Sequence, residues 1–286
     1  MNSEITDLTD WLKTPPGEYL LAWEREQLDQ AVSDIFGYHA LQLGLPELDA
    51  LRTNRMPHRW LAGHAPARGK ASDVVPTRAA ANADASLTAL PAQVPRPRAA
   101  LLVDAAALPF AQSSLDLVVL PHTLELSRDP HASLREVERV LVPEGRVVIT
   151  GLNPTSLWHL RQRRADFFAR LGYQDRFLPQ AGEFINYWRL RDWLRLLSFE
   201  VESGRFGCYK PALTSRKWLQ RFDWMDRAGA RWWPIFGAVY FVVAVKRVRG
   251  ARLLEPSWKF RKSVAAAPAV VASKEPLVRP PYPQPR

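Results

Sequence analysis

One stretch of this sequence leaves few folds open: strand, helix, turn and strand follow one another within about 35 residues. Leu115 to Leu120 is an apolar run of strand length. Asp129 can cap a helix, Pro130 suits its first turn, and Leu134, Val137, Val140 and Leu141 fall on one face. Val142-Pro143-Glu144-Gly145 then reads as a turn, and Arg146 to Thr150 as a second strand. A helix between two adjacent strands makes a right-handed parallel crossover, so the chain is expected to build an open parallel sheet with helices on both faces.

Other segments extend that plan. Leu28, Ala31, Val32 and Ile35 have helical spacing, with Gly37 placed to end the helix. Tyr38 to Leu43, His58 to Leu61 and Ala99 to Val103 read as short strands, and Leu190, Trp193, Leu194 and Leu197 as a helix stripe. Phe199 to Phe206 and Tyr240 to Lys246 read as two closing strands. Lys217 to Trp233 interleaves five aromatic residues with arginines and is expected to form a helix and cap over the sheet, part core and part solvated face. Ala62 to Arg98 and the tail after Ser263 are rich in Ala and Pro without apolar periodicity, which predicts disorder. The expected organisation is 1–61 and 99–250 as one domain, 62–98 as an insert and 251–286 as a basic tail.

Charge narrows the partners. With 39 Lys and Arg against 29 Asp and Glu, the formal net charge is +10, a field that attracts nucleic acid, anionic lipid or an acidic partner. Cys208 is the single cysteine, so neither an internal disulfide nor a cysteine-rich metal site is available. His58, His64 and His131 lack carboxylate companions at ligand spacing, and no metal is expected. The longest apolar stretch, Trp232 to Val245, contains Pro234 and is too short to span a bilayer. The acidic first ten residues do not suit a secretory signal, so the expectation is a cytoplasmic protein without a transmembrane segment.

Asp104 to Phe110 ends in Leu-Pro-Phe, Ser114-Leu115-Asp116 opens the next strand, and Leu134-Arg135-Glu136 leads through Arg139-Val140-Leu141 to Pro143 and Gly145. In continuous register from 99 to 151, these elements resemble the type 11 family of class I S-adenosylmethionine-dependent methyltransferases. Pro121-His122-Thr123-Leu124 and Gly151-Leu152-Asn153-Pro154 look like an enterobacterial branch of it. The resemblance implies an α/β, doubly wound, mostly parallel seven-stranded sheet, S-adenosylmethionine as cofactor and methyl transfer to an acceptor that the sequence does not name.

It also implies where the cofactor is held. The family's glycine loop after the first strand maps onto Gly44, but Leu45-Pro46 replaces the second glycine's neighbourhood. The family's ribose-binding carboxylate after the second strand has no counterpart in Ala62-Gly63-His64. The adenine contact maps onto Asp104 with Ala105 beside it, and His122 follows the fourth strand at the cofactor crevice. His122 and Asn153 are the residues placed to assist transfer; no catalytic residue is assigned. The departures also suit a second role, a methyltransferase-like fold kept as a binding or scaffold module, with nucleic acid as a third option through the basic surface.

Overall fold

The computed structural model describes residues 8–64, 101–169, 177–179 and 182–248. Most of the expected insert and the whole tail from 251 lie outside the described residues.

The N-terminal segment folds into α1 (Leu8–Trp11) and the long α2 (Pro15–Val32). Thr14 opens α2 by accepting from the Gly17 amide at 3.4 Å, with prolines in the first turn. Gly37 does not end this helix. The chain leaves it at Ser33, and Asn54 donates to the carbonyls of Val32 (2.7 Å) and Ile35 (3.1 Å), satisfying groups that a glycine cap would otherwise serve. Gly37 is needed for close approach instead: a Cβ there would lie 2.5 Å from Asp116, whose carboxylate accepts from the amides of Tyr38 and His39.

Seven strands follow: β1 (His39–Leu43), β2 (His58–His64), β3 (Leu101–Val103), β4 (Leu115–Pro121), β5 (Leu141–Leu152), β6 (Phe199–Gly207) and β7 (Val239–Lys246). They form one sheet in the order β3-β2-β1-β4-β5-β7-β6, parallel except where β7 runs against β5 and β6. The doubly wound, mostly parallel seven-stranded expectation therefore holds. Residues 62–64, which the expected bounds assign to the insert, belong to β2 and pair with β3.

The helices are α3 (Thr123–Leu126), α4 (Pro130–Val140), α5 (Leu157–Ala169), α6 (Tyr187–Leu196), α7 (Arg216–Arg221) and α8 (Trp224–Trp232). α4 matches its sequence signals, with Asp129 accepting from the Ala132 amide at 2.9 Å and Leu134, Val137 and Val140 buried. The expected turn at 142–145 is a bulge inside β5. Leu115 pairs with Leu141 and Leu117 with Arg146, so the intervening residues loop out, with Glu144 at φ 64°.

Alternation along the strands fills two cores. Leu117, Val119, Val148, Phe241 and Val243 face α1 and α2, while Leu115, Val118, Leu120, Val147, Ile149 and Val242 face α4 and α6. Burial on both faces is why these strands read as continuous apolar runs.

Candidate functional site

Strand order reverses between β1 and β4, and in an open parallel sheet ligands bind beyond the carboxyl ends of the strands at that point. Gly44 follows β1 and His122 follows β4, so two residues 78 positions apart in sequence meet at one crevice. A Cβ on Gly44 would lie 3.5 Å from the Thr123 hydroxyl, which itself donates to the Leu43 carbonyl at 2.5 Å. Gly44 is half-exposed at φ +83°, and Leu45 beside it is held at φ 43°. His122 at φ 51° and Cys208 at φ 62°, after β6, share the left-handed conformation. Each such non-glycine residue costs about 1–3 kcal/mol, and strain of this kind gathers where function demands a particular geometry.

Leu45-Pro46 does not leave the β1 loop open in the way that two glycines would. The buried Gln42 side chain donates to the carbonyls of Gly44 (3.0 Å) and Leu45 (2.8 Å) and accepts from the Ala50 amide (2.8 Å). That clamp turns Leu45 and Leu48 down into the core, and Arg25 of α2 donates to the Glu47 carbonyl at 2.6 Å. The segment from 44 to 57 makes turns and no helix.

Beneath the crevice lies a group that motif reading missed in part. His122 is fully buried between two carboxylates, Glu24 of α2 at 3.0 Å from Nε2 and Glu125 of α3 at 3.1 Å from Nδ1. Burial alone lowers the imidazole pKa, but Glu24 and Glu125 outweigh it and hold it at about 10. At neutral pH the ring is an imidazolium, so it cannot serve as the general base for which its place after β4 recommended it. Glu125 also accepts from the Leu152 amide, tying α3 to the end of β5. Glu24 Oε2, the Thr150 hydroxyl and the Tyr240 hydroxyl are buried without a hydrogen-bond partner among the described residues. Glu24 was legible only as a glutamate on the inward face of α2, and Glu125 as a carboxylate three residues after His122.

Asp104 and Ala105 stand after β3, two strands from the switch point. Asp104 is exposed and accepts from the Ala106 amide at 3.0 Å, and Ala105 is buried. Arg139 of α4 donates to the carbonyls of Leu108 (3.1 Å) and Phe110 (2.9 Å), and Glu136 accepts from the Leu108 amide (3.0 Å). The Leu-Pro-Phe and Leu-Arg-Glu elements thus hold each other, and with them the loop carrying Asp104. Asn153 is committed to structure: it donates to the carbonyls of Ile235 (2.7 Å) and Gly237 (2.9 Å) and accepts from Thr155. Among the described residues no His, Cys, Asp and Glu cluster could hold a metal ion, and no helix is long and apolar enough to cross a membrane.

Residues 59–149, which run from the second residue of β2 to Ile149 of β5, match the family model described as a methyltransferase domain. Over those residues the chain is similar to a methyltransferase domain. The match to this methyltransferase domain starts after the Gly44 loop, the part of the crevice that departs most from the family pattern. An uncharacterized Escherichia coli protein, YafS, is 40% identical over 100 residues, which cover 35% of this chain and 39% of YafS. The matched part thus spans well under half of that relative's length. Solved S-adenosylmethionine-dependent methyltransferases from Mesorhizobium loti and Archaeoglobus fulgidus are 15% and 14% identical. They cover 77% and 79% of this chain and 96% and 94% of their own, with TM-scores of 0.44 and 0.45.

S-adenosylmethionine is the cofactor that the resemblance to the type 11 methyltransferases implies. One feature of the residues present fits it: Gly44 offers half-exposed backbone with room above its Cα. In the sequence, Ala65 to Ser72, which follow β2, include no carboxylate.

Proposed function

We propose that this protein is an S-adenosylmethionine-dependent methyltransferase. The observation that carries the reading is the methyltransferase-domain match over β2 to β5, which includes β4 on one side of the crevice. The cofactor supplies an activated methyl group on sulfur, and the protein's task is mainly to position an acceptor in line with it.

In this reading Gly44 lets the methionine portion lie close to the backbone at the end of β1. Asp104 and Ala105 receive the adenine at the end of β3. His122 acts beneath the site: its imidazolium ties Glu24 of α2 to Glu125, fixing the floor against the covering helix. Because His122 is protonated and Asn153 fully engaged, an acceptor hydroxyl or amine would lose its proton to solvent or to a group outside this pair.

Calorimetric titration with S-adenosylmethionine and S-adenosylhomocysteine tests this. The expected result is micromolar binding, weakened about tenfold or more by Asp104→Ala, which removes a hydrogen bond to a charged group. Gly44→Ala should weaken it similarly through lost backbone approach. No binding by the folded wild-type protein would refute the proposal. The Gln42 clamp, which buries Leu45 where the family opens a glycine loop, favours a second reading: a methyltransferase-like fold kept for binding. That reading expects no cofactor binding and a cellular role indifferent to Asp104.

A further inference from the structure

The segment expected to be partly core is instead exposed along its aromatic side. Trp218, Trp224, Trp232, Trp233, Ile235 and Phe236 are between 41% and 73% accessible, far more than a structural stripe requires. On α8 the residues Trp224, Arg227, Arg231 and Trp232 recur at i, i+3, i+7 and i+8, so they form one outward stripe. The opposite side is anchored. Gly229 packs directly on the Tyr209 ring, and Asp226 accepts from the Tyr19 hydroxyl and from the Tyr209 amide.

Charge is sorted in the same way. The two acids of this segment are taken up by Lys210, whose ammonium lies 2.5 Å from Asp223 and 3.6 Å from Asp226. Lys217, Arg221, Arg227 and Arg231 are exposed and form no ion pair among the described residues. The surface therefore offers indoles flanked by cations that pair with no acid among the described residues, with the consecutive Trp232-Trp233-Pro234-Ile235-Phe236 at its end.

We infer that α7, α8 and the turn at Pro234–Phe236 form a docking surface for an anionic lipid bilayer. Indole rings settle at the headgroup level, where the apolar ring and the N–H are both satisfied. Arginine and lysine stems lie along the apolar boundary while their charged ends reach lipid phosphates. Ile235 and Phe236 supply the inserted edge. A single-stranded nucleic acid would use the aromatics differently, as a stacking platform along a basic groove. A convex helix stripe ending in an aliphatic and a phenyl side chain suits a bilayer better. The inference is independent of the methyltransferase reading.

The test is co-sedimentation of the full chain with phosphatidylcholine vesicles, with and without phosphatidylglycerol. The expected result is binding to the mixed vesicles and little to phosphatidylcholine alone. Two double variants, Trp232→Ser with Phe236→Ser and Arg227→Glu with Arg231→Glu, should each lower partitioning about tenfold or more. All four residues are exposed, so circular dichroism should be unchanged, and the charge variant stands alone should the aromatic one misfold. Three outcomes would overturn the inference: no vesicle binding by wild type, binding that survives both double variants and so belongs elsewhere, such as residues 249–286, or stripe-dependent binding of a single-stranded oligonucleotide that vesicles do not displace.

Discussion

His122 shows how little a residue's chemistry follows from its type. Free histidine titrates near 6.5, yet between Glu24 and Glu125 this one holds its proton to about pH 10. The folded pKa lies above the unfolded one, so the stabilisation is complete below about pH 6.5 and is lost as pH rises toward 10. Urea unfolding of the wild type should therefore show stability falling from pH 6.5 to pH 10, and His122→Gln should flatten that slope. The variant should also lose about 3–5 kcal/mol near neutrality, because two buried carboxylates are left without their cation. An unchanged slope in the variant would mean that His122 is not the titrating group. The sequence showed a histidine after a strand; it gave no hint that a glutamate 98 positions earlier would face it.

At the scale of elements, the helix and strand signals that held were local. Asp129-Pro130, the α4 stripe and the apolar runs of β4, β5 and β7 each depend on neighbours a few residues away. The misplaced features depended on distant partners. Gly37 is required by Asp116, α2 is ended by Asn54, and the 142–145 turn is absorbed as a bulge because β4 and β5 resume pairing around it. Asn153 belongs here too, as a staple between the end of β5 and the chain entering β7. Asn153→Ala should cost about 1–3 kcal/mol by stranding buried carbonyls. Chemical denaturation would register it as a lower midpoint with an unchanged slope on denaturant, and no loss would contradict the staple.

Over the whole molecule, a cofactor that binds only the folded state stabilises it by about 2.7 kcal/mol at a hundredfold excess over Kd. For a chain of this size that raises Tm by about 5–10 °C. Thermal unfolding with and without S-adenosylmethionine should show such a rise in the wild type and a smaller one in Asp104→Ala. A flat response in a protein with a cooperative transition would favour the scaffold reading. The same fold also carries two surfaces at once, the crevice at the switch point and the aromatic stripe on α8. They are linked through α2: Tyr19 on it binds Asp226 of α8, and Glu24 on it faces His122.

By itself the sequence determined the doubly wound sheet, since strand and helix periodicity and a parallel crossover are local properties with one permitted hand. It determined the family resemblance as well, because Leu-Pro-Phe and Leu-Arg-Glu stand in continuous register. Only the tertiary structure decided that Gln42 closes the glycine loop, that Glu24 and Glu125 fix the charge of His122, and that the tryptophans of α7 and α8 face outward. Each of those outcomes depends on which side of an element is covered by another part of the chain, and that is a property of packing, not of spacing.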